Sequence, residues 1–202
     1  MNFYTNFTAE IEKTIVSMSH EHKCLFILLT CDKMLPNYIS FSEEVNWGNP
    51  QILKNVITTF KQIALGTQFT KSELIKLNKS VEENIPDLDD FESGSFAFDA
   101  SIVFSEAMLF LINKDTENIK NTIQGALDTV DMFIQLKDDL DPNDTELDDR
   151  IQKSEYLIRE FNRQRLIINH LKNIPKITRE VIDELRQIND SHGTVVDIKL
   201  LD

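Results

Sequence analysis

Apolar positions recur every three or four residues along most of this chain, and that spacing is typical of amphipathic helices. One stretch differs, because residues 24–29 form a continuous apolar run, CLFILL. A helix that is apolar on nearly every side has no face for water and should be surrounded by other helices. We therefore predict a central helix over residues 19–35, with Leu28 in the core. Pro36 should end it, since proline lacks an N–H and disfavours helix at the residue before it.

The same periodicity, together with residues that start and stop helices, predicts the other elements. Asn49-Pro50 and Asp115 have the form of helix starts, and Thr70-Lys71-Ser72-Glu73 has the form of a capping box. A second strongly apolar helix, with Phe104 buried, should pack on the first. The tail 194–201 alternates weakly and is predicted to be extended. The helices expected around the central one cover residues 5–18, 37–45, 50–66, 70–85, 96–113, 116–137, 145–173 and 177–190.

Composition supports an all-α fold. Glycine and proline number only 5 each in 202 residues, whereas sandwiches and barrels need frequent turn residues. With 41% hydrophobic residues, the chain can bury a sizeable core. We predict one all-α domain over residues 1–202, a bundle of seven to nine helices with 23–35 and 96–113 at its centre.

Charge narrows the classes of partner. Asp and Glu outnumber Lys and Arg by 34 to 21, which gives a net charge of −13, and the basic residues are scattered singly. Binding to nucleic acid or to an anionic membrane surface is disfavoured, because both need a basic patch. Acids gather at Glu43-Glu44, at residues 87–92 and at residues 138–149. We expect a protein partner with a basic surface, although solubility alone would also explain the acidity. The oligomeric state stays open.

The two cysteines and the hydropathy of the chain predict the cellular compartment of the protein. Cys24 and Cys31 lie seven residues apart in one helix, and their Cα atoms would be roughly 10 Å apart, too far for a disulfide. They are interpreted as buried thiols in a reducing cytoplasm. The N-terminal residues lack the basic and apolar regions of a signal peptide, and no segment reaches the ~18 apolar residues of a membrane span.

Few residues suggest chemistry. The four histidines form no chelating pair, and the chain has no zinc, phosphate-loop or serine-hydrolase motif. No metal or cofactor is therefore expected. Asp99 and Glu106 lie seven residues apart, on one face of an apolar helix, and Asn37 and Tyr38 follow Pro36. We predict that these four residues form a ligand-binding cluster, with Tyr38 bonded to a carboxylate. In the structural alternative, Asp99 complements the N-terminus of its helix, and Glu106 is either hydrogen-bonded in the interior or exposed to water. Asn37 and Tyr38 then form backbone hydrogen bonds at the helix junction.

Two stretches together resemble the signatures of the YjaG-like family of bacterial proteins. The first is CDKMLPNY at residues 31–38, followed by Trp47-Gly48. The second is Ile85-Pro86-x-x-Asp89-Asp90-Phe91, followed by Asp99-Ala100 and Ser105-Glu106. That family is all-helical and of unknown function. The resemblance therefore implies a helical fold and a bacterial cytoplasmic origin, with a loose link to signalling, and it carries over no catalytic residue.

Three functions remain open at this point. The leading hypothesis is a non-enzymatic binding module that acts through a helical surface or groove. The first alternative is an immunity or antitoxin-like protein whose acidity neutralises a basic toxin. The second alternative is an enzyme that uses Tyr38, Asp99 and Glu106. A buried polar pocket would favour the enzyme, and an exposed patch would favour binding.

Overall fold

The computed structural model describes residues 3–201, with side chains described for residues 7–91 and 93–201. Within that part of the chain all regular secondary structure is helical, which confirms the all-α prediction. Two short 3₁₀ turns, at Glu92–Gly94 and Ile198–Leu201, accompany the α-helices. The nine α-helices of the described residues are α1 (Phe3–Val16), α2 (His20–Val45), α3 (Pro50–Ala64), α4 (Lys71–Glu82), α5 (Ser95–Asn113), α6 (Thr116–Lys137), α7 (Leu147–Lys153), α8 (Glu155–Lys172) and α9 (Arg179–Asp190).

Helix α2 corrects the prediction that Pro36 ends the central helix. The helix continues through Pro36 as far as Val45. A proline inside a helix costs about 3 kcal/mol or more. Large side chains on both sides of it are buried, including Met34, Tyr38 and Phe41. Each such burial contributes about 1.5–3 kcal/mol, so packing outweighs the lost hydrogen bond and keeps the helix continuous.

The two apolar helices lie together at the centre, as predicted. Leu28 on α2 and Phe104 on α5 are both completely buried. Helix α3 packs on α2, α4 and α6 pack on α5, and α8 and α9 close the side of α2 that α5 leaves open. By length and composition α5 is apolar enough to cross a membrane. Helices in the cores of other proteins meet the same test, and 56% of the most apolar 18-residue segment of α5 is buried in this fold.

Small residues let α5 and α6 approach closely. A Cβ at Gly125 would lie 2.7 Å from Val103 Cγ2, closer than such atoms normally come. Glycine in mid-helix normally costs about 1 kcal/mol relative to alanine. Gly125 is retained here because the backbone of α6 lies directly against α5.

Several helix ends match the sequence signals. Thr70 and Glu73 form the predicted capping box, and Asn49 and Asp115 cap α3 and α6 through their side chains. Helix α2 is capped at its C-terminus by Asn46, which adopts the left-handed conformation with φ 52°. Gly48 lies in the loop that follows.

Two predictions in the C-terminal third were wrong. The helix expected over residues 145–173 is interrupted at Ser154, which ends α7 and caps α8 by accepting from the Tyr156 N–H. A serine N-cap satisfies free backbone N–H groups, so a new helix begins there. The tail is not extended but carries the 3₁₀ turn, and Val195 and Val196 are buried.

Candidate functional site

Tyr38 lies at the point where α2 meets the end of α4. Its hydroxyl donates to the Asn84 carbonyl at 2.9 Å. The predicted hydrogen bond from Tyr38 to a carboxylate was therefore wrong. Gly48 lies against the same hydroxyl, where a Cβ would overlap Tyr38 Oη, and its φ is +80°. Both the contact and the backbone conformation require glycine at this position.

Aromatic rings extend this junction toward the surface. Trp47 packs on Phe91 with ring centroids 5.2 Å apart, and Phe41 contacts both rings. Trp47 is half-buried, so it covers the core. The two stretches that carry the family resemblance thus meet in one aromatic cluster. The structure gives these signature residues a packing role.

Asn37 is the least satisfied of the four predicted site residues. Its side chain is only 2% exposed, and its Nδ2 has no hydrogen-bond partner among the described residues. A buried amide without a partner is destabilising by about 1–3 kcal/mol.

Asp99 and Glu106 both face α6 and contact neither Asn37 nor Tyr38 through a hydrogen bond. Thr129 Oγ1 donates to Asp99 Oδ2 at 3.1 Å, and burial raises the pKa of this carboxyl. Asn118 and Asn121 donate to Glu106 Oε2 at 2.8 and 3.0 Å. The seven-residue spacing did place both acids on one helix face, but that face lies against α6.

Sequence reasoning missed a buried charged network, which we call the interior network. Arg163 Nε donates to Glu160 Oε2 at 2.7 Å, and its Nη1 donates to Asn189 Oδ1 at 2.9 Å. Gln164 Nε2 donates to Glu160 Oε1 at 2.8 Å. Asn189 Nδ2 then donates to the Leu29 carbonyl at 2.9 Å. Since these polar side chains are at most 3% exposed, the network joins α8, α9 and α2 inside the core.

Two charged residues of α2, Lys33 and Asp32, form separate bonds to the C-terminal part of the chain. The Lys33 ammonium donates to the Gly193 carbonyl, and burial, reinforced by nearby Arg163, lowers the pKa of Lys33 to about 8. Asp32 receives two hydrogen bonds from Arg186, at 2.8 and 3.0 Å. Burial raises the pKa of Asp32, although Arg186 opposes that effect.

A lysine with a lowered pKa can be a catalytic nucleophile or base. Here its side chain is only 4% exposed and its ammonium faces a carbonyl oxygen. A substrate has no access to it, so Lys33, like the interior network, joins parts of the chain and offers no reacting group. Glu160, Arg163 and Gln164 lie next to apolar positions of α8 in the sequence, but that adjacency alone does not distinguish them from solvated residues.

An open cleft of about 420 Å³ lies where α2, α5 and α6 meet the C-terminal turn. We call it the acidic-rimmed cleft. Phe96, Leu136, Ile198 and Leu201 supply its apolar lining. Leu136 is 57% exposed, so it presents apolar surface to solvent at the end of α6.

The three acidic clusters predicted from the sequence adjoin lining residues along the chain, and one acid, Glu44, lies in the lining itself. Glu44 lines it directly, beside exposed Glu43. Ser93 lines it too and follows the exposed acids Asp87, Asp89 and Asp90. Leu136 lies two residues before Asp138, at the end of α6. The lining of the cleft also includes one lysine, Lys199. The lining itself thus holds one acid and one base, and further acids follow or precede its residues in three parts of the chain.

No group of three or more His, Cys, Asp and Glu side chains that could hold a metal ion occurs within the described part of the chain.

Comparison with known proteins agrees with this helical architecture. A family described as "Protein of unknown function (DUF416)" matches residues 10–195. The chain belongs to this family. A solved structure of a DUF416 family protein from Shewanella baltica OS155 has 28% sequence identity and a TM-score of 0.79, covering 91% of this chain and 95% of that one. A search of curated proteins gave no match. The DUF416 family is uncharacterised, so its name carries no activity.

Proposed function

We propose that this DUF416 protein is a binding module that docks a basic, amphipathic segment of a partner protein in the acidic-rimmed cleft. The observation that carries the proposal is an exposed apolar lining that includes Glu44 and whose residues adjoin all three acidic clusters along the chain. An apolar lining supplies affinity, and the rim selects partners of opposite charge.

The chemistry of the cleft fits a helix with one apolar face and flanking lysines or arginines. Such helices bind grooves through side chains spaced three and four residues apart. Leu136 and Phe96 would contact the apolar face, while Glu44 and the acids of the rim would contact the basic flanks. A binding module needs only this exposed surface, and it needs no convergent catalytic groups.

Charge also favours a protein partner over nucleic acid or an anionic membrane. The net charge of −13 repels phosphate, and the acids of the rim would repel it at the cleft itself. We place the interaction in the cytoplasm, as the sequence predicts. A basic toxin is one partner that would satisfy the same chemistry. The narrower YjaG-like assignment and the link to signalling stay predictions.

The test is titration of the protein into a fluorescein-labelled peptide of about 18 residues, built from leucines at helical spacing and lysines elsewhere. A matching peptide carries glutamate in place of lysine. We expect the lysine peptide to bind and the glutamate peptide not to bind, with affinity falling as salt rises.

The decisive variant is Leu136→Asp. It adds a negative charge, so general attraction between an acidic protein and a basic peptide would strengthen. Docking in the cleft would weaken by about ten-fold or more, because an apolar contact becomes a charge. The matched control is Ile75→Asp, an equally exposed position on α4 that does not line the cleft. Equal or tighter binding by Leu136→Asp would overturn the proposal.

A further inference from the structure

A second and larger cavity, of about 640 Å³, lies on a different part of the molecule. It is formed by the start of α2, the α3–α4 connection, the start of α4 and the end of α5. Ile63, Leu74 and Leu111 form a buried apolar floor, and Phe69 lies beside them. Its volume falls within the range of small-molecule sites, about 300–1,000 Å³.

The charge around this cavity opposes that of the protein as a whole. Two lysines, Lys71 and Lys114, line it against a single carboxylate, Glu21, and the His20 ring is a further part of the lining. In a chain with net charge −13, basic side chains would ordinarily be outnumbered by acids nearby. The cavity therefore combines an apolar floor with a local excess of basic groups.

These basic groups are not used to hold the fold together. Within the described residues neither Lys71 nor Lys114 has a carboxylate within ion-pair distance. The Glu21 carboxylate accepts a hydrogen bond from Ser19 Oγ at 2.8 Å. Both ammonium groups are thus available to a ligand.

His20 reports how strongly the lysines act on this site. Burial, together with Lys114 and Lys23, lowers the pKa of His20, and Glu21 opposes them only in part. Its ring packs 5.4 Å from Phe110, and its Nε2 lies 3.7 Å from the Cys24 thiol. An anion beside Lys114 would relieve this positive field.

We propose that this cavity binds a small amphipathic anion, with its apolar body against Ile63, Leu74 and Leu111 and its carboxylate or phosphate between Lys71 and Lys114. The two components match the two surfaces of the cavity. Apolar burial supplies most of the affinity, and hydrogen bonds from ammonium groups fix the anionic end.

Isothermal titration calorimetry with monomeric dodecanoate tests this proposal, with dodecyl phosphate as a second probe and dodecylamine as the control of opposite charge. We expect saturable binding of one or both anions and none of the amine. Whichever anion binds more tightly identifies the head group that the cavity prefers. If neither anion binds saturably, or the amine binds equally well, the proposal is overturned.

Two double variants separate a specific site from general charge effects. Lys71→Gln/Lys114→Gln should weaken anion binding about ten-fold or more, because it removes two charge-assisted contacts. Lys76→Gln/Lys176→Gln removes the same charge at two exposed lysines that do not line the cavity, and it should bind as the parent does. Circular dichroism would verify that both variants are folded. Unchanged binding by the first variant would refute the assignment. The acidic-rimmed cleft shares no residue with this cavity, so each proposal fails independently.

Discussion

The interior network and the two surface clefts use charged residues in opposite ways. In the interior network Arg163 and Glu160 bond to each other and to neighbouring amides, and both are nearly inaccessible. Around the clefts the lysines and acids surround apolar surface and remain exposed. Buried, mutually bonded charges such as these join helices and leave no group exposed to a ligand. Both binding proposals rest instead on accessible charges beside apolar surface.

The largest effect should come from breaking the interior network. Arg163→Met leaves the Glu160 carboxylate buried without its main partner and removes the donor to Asn189. Removing one member of a buried ion pair costs about 3–5 kcal/mol. We expect that loss in the free energy of unfolding, measured with urea. The double variant Glu160→Met/Arg163→Met should be more stable than Arg163→Met alone, because no unpaired charge remains.

Arg165, on the same helix as Arg163, forms a surface ion pair that provides the control. Arg165 lies 3.5 Å from Glu10, and both side chains are substantially exposed. Arg165→Met should cost about 1 kcal/mol or less. If Arg163→Met were no more destabilising than Arg165→Met, the interior network would not stabilise the fold.

An intermediate effect should be visible in the pH dependence of stability. An unfolded lysine holds its proton up to about pH 10.5, whereas the pKa of folded Lys33 is about 8. Between these values the unfolded state binds more protons, so Lys33 adds stability as pH rises. Relative to Lys33→Met, the parent should therefore gain stability from pH 8 to 10.

Buried thiols act in the other direction over the same range. Burial raises the pKa of Cys24 and Cys31, so unfolding releases their protons and stability falls as pH rises. Both proteins contain these thiols, and the difference between them isolates Lys33. Lys176→Met, at an exposed position, should follow the parent curve. Parallel curves for the parent and Lys33→Met would show that Lys33 is not buried as a charged group.

The smallest effect on stability is expected at the clefts. Leu136→Asp and Lys71→Gln/Lys114→Gln alter exposed residues without internal partners. We expect the free energy of unfolding to stay within about 0.5 kcal/mol of the parent, as for most surface substitutions. A loss of several kcal/mol at either site would assign those residues to the fold and remove the contrast with the interior network.

The sequence predicted most of the fold because local signals and burial agreed. The capping residues Thr70 and Asp115 and the apolar runs of α2 and α5 were interpreted correctly. Local signals failed where packing overrode them, as at Pro36, or where a capping residue was not recognised inside a longer periodic stretch, as at Ser154.

The sites were harder to predict than the helices. Asp99 and Glu106 were correctly placed on one face, but periodicity does not say which neighbour that face meets. Glu160, Arg163 and Lys33 look like solvated charges in the sequence, since only the fold shows that α2, α8 and α9 enclose them. The acidic clusters were recognised, yet the apolar lining beside Glu44 is formed only when the ends of α2 and α6 and the C-terminal turn come together.

Hydrogen exchange of the protein with and without the lysine–leucine peptide tests the central claim most directly. If the acidic-rimmed cleft binds the peptide, backbone exchange should slow at residues 93–96 and 198–201 and stay unchanged at residues 66–71, beside the other cavity. Unchanged exchange at 198–201, or slowing confined to residues 66–71, would contradict the account.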